Sequence, residues 1–211
     1  MSKKGIELIS AVLEGILPVI GYFFWDWNIY FVLVFYMFDY LLGQILFSLK
    51  THKVLFKPGY FNGTDSSMNK NYIRVILLQL LMAFVVLSLF SYGTYEISNS
   101  TIKGFSILDE SSNFFWLREM GIPQGFLLIP LFVLMGYAFY KMKFLMPKLY
   151  ITLEFTKFNK QFFMGQVFLI GFIGLCIGIN HFFDLPQYFY VVLIAVVKML
   201  FDVFIYEKLY R

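Results

Sequence analysis

Little charge, one cysteine and no catalytic signature mark this chain, and each shortage removes a class of protein. Asp, Glu, Lys and Arg make up 14% of the 211 residues, against about 25% in soluble domains. With 60% hydrophobic residues and a mean hydropathy of +0.73, a soluble core under a charged surface is excluded. The single cysteine, Cys176, rules out an internal disulfide and any CxxC redox or zinc pair. The two histidines, His52 and His181, fall on opposite predicted sides of a membrane, which speaks against a multi-histidine metal site. HExxH, GxSxG, phosphate-loop and dinucleotide signatures are all missing. Neither Asp39 nor Asp202 follows the glycine of a GxGD segment, as an aspartyl intramembrane protease would have it. No metal or cofactor is expected, and an intramembrane enzyme is only the third reading.

Long apolar runs take the place of those signatures. Six segments, about 6–24, 27–49, 72–92, 124–142, 162–183 and 187–206, approach the length needed to cross about 30 Å of hydrocarbon. The expectation is an all-α helical bundle with six transmembrane helices, a single transmembrane domain over 1–211. Ser2-Lys3-Lys4 could open a signal peptide, but Glu7 and Glu14 interrupt the apolar stretch and no small-residue cleavage site precedes Tyr22, so the stretch reads as the first span. Trp25 and Trp27 flank a tight interfacial turn. Pro18 removes the helical donor for the Glu14 carbonyl and predicts a kink. Pro186 opens the last helix. On the fifth span, Gly171, Gly174 and Gly178 share a face and predict close approach of another helix. In the connection 93–123, Ser111 and Ser112 are expected to cap a short helix that Gly121 ends, with Phe114-Phe115-Trp116-Leu117 at the interface.

Fourteen of the seventeen Lys and Arg residues flank one set of helix ends, Lys103 and Arg118 flank the other, and Lys198 lies within the last span. By the positive-inside rule both termini face the cytoplasm. The net charge of +4 is thereby assigned to orientation and anionic lipid rather than to nucleic acid. Expected partners are membrane lipid and a protein partner or second copy of the chain. The expected location is integral to a prokaryotic cytoplasmic membrane.

Four ionisable residues lie inside the spans: Glu14, Asp39, Lys198 and Asp202. A charge at a bilayer centre costs about 2.5–3.5 kcal/mol on insertion scales, so it faces a partner or water. Lys198 and Asp202 are one helical turn apart and can pair. Tyr36, Asp39 and Gly43 share a face of the second span, with Tyr40 and Gln44 adjacent, so phenol and amide groups can solvate the carboxylate. Gln79 and Gln166 add polar groups on the third and fifth spans. The cluster reads as a path for protons, an ion or a small solute, or as an ion-pair network that fixes helix packing in a scaffold or complex subunit.

Pro18-Val-Ile-Gly21 before the Trp turn, Tyr36-Met-Phe-Asp39, Gly43 and Lys198-Met-Leu-Phe-Asp202 together resemble domain-of-unknown-function family 6498 of prokaryotic polytopic membrane proteins. The resemblance implies six helices and a role for Asp39, Lys198 and Asp202. It implies no activity. The chain departs from the family pattern where Asp39 replaces a glutamate, where the third span has no histidine, and where Tyr206 stands in place of a histidine.

Overall fold

The computed structural model describes residues 15–56, 66–116, 124–183 and 185–201. All elements among them are helical. They are α1 Gly15–Phe24, α2 Ile29–Leu55, α3 Ser66–Thr101, α4 Ile107–Phe115, α5 Gln124–Tyr140, α6 Leu149–Thr152, α7 Phe155–Phe182 and α8 Gln187–Phe201. A π-helical turn, Lys141–Leu145, continues α5. Four helical stretches are long and apolar enough to cross a membrane: Ile29–Leu55, Ile73–Thr101, Phe126–Leu145 and Phe155–Phe182. Gly15–Phe24 and Gln187–Leu200 are shorter apolar helices. These helices fit an integral membrane protein. Their large apolar side chains are widely exposed, Leu77, Phe84, Leu134 and Val167 among them, which suits a lipid surround and not water.

Several helices overrun the segments expected from hydropathy. The helix α3 runs on to Thr101 because its last turns keep a buried face, Thr94, Ile97 and Ser98, despite their polarity. Gly93 lets Ile173 and Ile177 of α7 pack against it. The Gln187 amide donates to the Thr101 carbonyl (2.9 Å), so a final carbonyl of α3 is satisfied from the next helix pair. In the same way α7 begins at Phe155 rather than near 162, because Phe158 and Phe162 stack on Phe47 of α2, with centroids 4.5 and 4.0 Å apart. The helix α2 starts two residues later than expected, since Asn28 caps it by accepting from the Phe31 N–H (3.0 Å).

Two expectations are corrected. Ser111 and Ser112 lie inside α4 and do not cap it. The cap is Ser106, whose hydroxyl faces the Asp109 N–H at 3.5 Å, with Asp109 and Glu110 in the favourable first turn. The glycines of α7 also do not meet a backbone of any described residue. Among the described residues nothing stands within 4 Å of a Cβ placed on Gly171, Gly174 or Gly178.

The chain divides into two compact units, Met1–Tyr36 with Phe90–Phe114 and Gly171–Arg211, and Met37–Leu89 with Phe115–Ile170. In the first unit, the turn after α1 is closed on one carbonyl: both Trp25 and Trp27 donate N–H groups to Gly21 O, at 3.0 and 3.1 Å. Asp26 takes a left-handed conformation there (φ 51°). Gly15 sits where α1 meets Met199 and the Ala195 carbonyl of α8. The helix α4 is tied to the start of α2 by Asn28 to Glu110 (2.7 Å), Tyr30 with Ser111 (2.7 Å), and the edge-on Phe31–Phe114 pair. Leu108 of α4 is 82% exposed. In the second unit, the Phe47 ring stacks on both Phe158 and Phe162.

Candidate functional site

Of the four charged positions expected within the spans, Glu14 and Asp202 lie outside the described residues. Asp39 is half-buried on α2 in the second unit, and Lys198 is half-buried on α8 in the first. The supporting residues are placed more fully. Tyr36 is buried and donates its hydroxyl to the Gly15 carbonyl (3.1 Å), fastening α2 to α1. Tyr40 donates to the Gln166 Oε1 (2.6 Å), joining α2 to a buried amide on α7. Gln44 is half-buried, and its backbone carbonyl accepts from the Ser48 hydroxyl (3.0 Å).

Gln79 is the most constrained of these side chains. It is 3% exposed. Its amide nitrogen reaches the Thr51 hydroxyl of α2 (3.3 Å) and the Asn159 Oδ1 of α7 (3.2 Å). Its carbonyl oxygen has no hydrogen-bond partner among the described residues. A buried amide carries two donors and an acceptor with two lone pairs, so one end of Gln79 is satisfied by protein and the other is not. Leaving that acceptor dry costs about 1–3 kcal/mol, which favours a donor reaching it.

These groups form two polar layers in the second unit. On α2, Tyr40, Gln44, Phe47 and Thr51 follow a spacing of four, three and four residues, one helix face. On α7, Asn159, Phe162 and Gln166 follow a spacing of three and four. Tyr40 with Gln166 makes one layer, and Thr51, Gln79 and Asn159 make the other. The stacked rings of Phe47 and Phe162 lie between them on the same helices, and Phe158 also stacks on Phe47.

Thr51 and Asn159 belong to the site but stand outside the apolar segments read from sequence, among Lys50, Lys53, Lys157 and Lys160. Their signal is the continuation of the Tyr40–Gln44–Phe47 face on α2 and the heptad offset from Gln166 on α7. Further along α3, Thr94 and Ser98 are buried one turn apart, and neither hydroxyl has a partner among the described residues. Among the described residues no three His, Cys, Asp or Glu side chains converge as metal ligands. No protein family, no curated protein and no solved structure matches the chain.

Proposed function

We propose that the chain is a six-span integral membrane protein, with both termini in the cytoplasm, that passes protons, an ion or a small solute along polar side chains inside its helices. In the second unit Asp39 supplies charge, and Gln79, Thr51, Asn159, Tyr40 and Gln166 supply exchangeable hydrogen bonds. The observation that carries this reading is the Gln79 carbonyl, buried and without a donor among the described residues. A static packing device gains most when every buried polar atom is paired. An acceptor left over inside an apolar bundle suits a visiting water, a protonated carrier or a solute hydroxyl.

A second reading is favoured by a different observation: the Gln79 amide bonds both α2 and α7. Polar side chains join membrane helices in this way, at about 0.6 kcal/mol each on average. The chain is then a scaffold or complex subunit.

Gln79→Leu separates the two, because it keeps volume and removes every hydrogen bond. Purified wild type and variant are reconstituted into liposomes and assayed for proton, Na⁺ and K⁺ flux, beside melting curves in detergent. Transport predicts wild-type flux that Gln79→Leu abolishes at a nearly unchanged melting point. No wild-type flux together with a lowered melting point for the variant retires transport in favour of the scaffold.

A further inference from the structure

The last turns of α3, in the first unit, carry two hydroxyls that the fold seals in. Thr94 is 6% exposed and Ser98 0%. Neither hydroxyl oxygen has a hydrogen-bond partner among the described residues. A hydroxyl in a helix commonly closes on a carbonyl of the preceding turn. Ser48, Ser100 and Thr101 do so, at 3.0, 3.0 and 2.6 Å. Thr94 and Ser98 depart from that habit at two successive turns of one helix face. The neighbouring face of α3 is taken by α7. There Gly93 meets Ile173 and Ile177, and Asn180 accepts from the Ser100 hydroxyl (2.8 Å) while its amide stands 3.5 Å from the Glu96 carbonyl. The Thr94–Ser98 face ends at Thr101, whose carbonyl accepts from Gln187 of α8 (2.9 Å).

A hydroxyl buried dry gives up its hydration and gains nothing, so it takes a partner wherever one can reach it. Residues four apart on a helix have Cβ atoms about 5–6 Å apart. A water makes hydrogen bonds of about 2.7–2.8 Å to hydroxyl oxygens, so one oxygen between Thr94 and Ser98 spans both. Each hydroxyl donates or accepts as required. The Thr94 carbonyl, one turn before the Ser98 N–H, keeps a second lone pair and offers a third partner. Two to four such partners are what a buried water needs. An ion is disfavoured, because neutral hydroxyls leave a buried charge uncompensated.

We propose that Thr94 and Ser98 hold a water molecule between them, sealed beside the last turns of α3. The site gives this helix an exchangeable hydrogen-bond partner where hydrocarbon supplies none. It stands independently of the transport reading, which rests on side chains of the second unit.

The intact protein, purified in detergent, is given brief X-ray pulses that split water into hydroxyl radicals, and oxidation of Ile97 is read by mass spectrometry. Ile97 is 2% exposed and sits on α3 between the two hydroxyls in sequence. A water held beside it yields radicals on the spot, so Ile97 is oxidised in the wild type despite its burial. Thr94→Val keeps the shape and removes one hydroxyl, and Ser98→Ala removes the other. Each lowers the oxidation of Ile97, and the two together abolish it. Thr94→Ser keeps the hydroxyl and retains the oxidation. Melting curves give a second readout. A shared water makes each single variant melt lower than wild type, and the double variant lose less than the sum of the two. Where the double variant fails to fold, oxidation in the Thr94→Val and Thr94→Ser variants decides. Three results overturn the proposal: Ile97 unoxidised in the wild type or equally oxidised in Thr94→Val, Thr94→Val melting above wild type as removal of a dry hydroxyl would make it, or strictly additive losses, as two hydroxyls bonding separately to their own helix would give.

Discussion

Gly21 and Trp27 occupy one place in the first turn: a Cβ on Gly21 would stand 2.5 Å from Trp27 Cδ2. Trp27 is 3% exposed and tilted against Phe35, so the ring has no room to withdraw. Its backbone N–H is also bound to the Gly21 carbonyl, which ties the ring to the residue it would have to leave. Gly21→Ala is expected to cost about 1–3 kcal/mol, the range for overpacking a filled core. A lowered melting point with a red-shifted tryptophan emission is the expected signature. Gly43, with nothing within 4 Å of its Cβ position among the described residues, is the control: Gly43→Ala leaves both readouts nearly unchanged.

Asp26, exposed in the same turn, holds φ 51°. Left-handed backbone suits Gly, Asn and Asp, and costs a β-branched residue about 1–2 kcal/mol. Asp26→Val is therefore expected to lower the melting point, and Asp26→Gly to leave it the same or higher. Equal melting of the two variants would show that the turn relaxes without this conformation.

Asn28 serves two partners at once, capping α2 at Phe31 N and donating to Glu110 of α4. Asn28→Ala is expected to cost about 1–2 kcal/mol, near the top of the range for a lost cap. Asn28→Ser keeps a capping oxygen and loses only the Glu110 bond, so it should lie between alanine and wild type. A double-mutant cycle with Glu110→Ala should give a coupling of about 0.5–1.5 kcal/mol. Zero coupling would mean that α4 is held by Tyr30, Ser111 and the Phe31–Phe114 pair alone.

Helix content was legible because apolar runs dominate the chain, and the turn at Trp25 was marked by its tryptophans. Helix ends were harder. Hydropathy falls after Tyr92, but Thr94 and Ser98 continue the buried face of α3, so packing extends the helix where composition suggests a loop. Ser106-Ile107-Leu108-Asp109 carries the serine-to-acid spacing of an N-cap and marks the start of α4 more directly than Ser111 and Ser112 do. For the site, Tyr40, Gln79 and Gln166 stood out as polar residues within apolar runs. Thr51 and Asn159 were hidden among lysines, where polarity is expected and carries little information. The glycines of α7 share a face by spacing, but spacing alone does not say whether a helix or lipid lies opposite.

Orientation is tested by single-cysteine labelling in a Cys176→Ser background. Lys103 and Lys53 are both exposed and lie on opposite sides of the expected membrane. A membrane-impermeant maleimide should label Lys103→Cys in intact cells and Lys53→Cys only after permeabilisation. The reverse pattern would invert the topology.

Asp39 offers the sharpest test of charge in the mechanism. Asparagine matches its size and keeps an acceptor oxygen, so Asp39→Asn preserves packing while removing charge and proton exchange. If the carboxylate carries protons or pairs with a moving cation, flux in liposomes should fall to the background of protein-free vesicles while the melting curve stays within about 1 kcal/mol of wild type. If Asp39 instead compensates a buried cation, the same change strands that charge, and the melting point should fall by an amount approaching the about 3–5 kcal/mol of a broken buried pair. A variant that melts like wild type and retains full flux would remove Asp39 from both accounts, leaving the hydrogen-bonded layers at Gln79 and Gln166 as the remaining basis for passage.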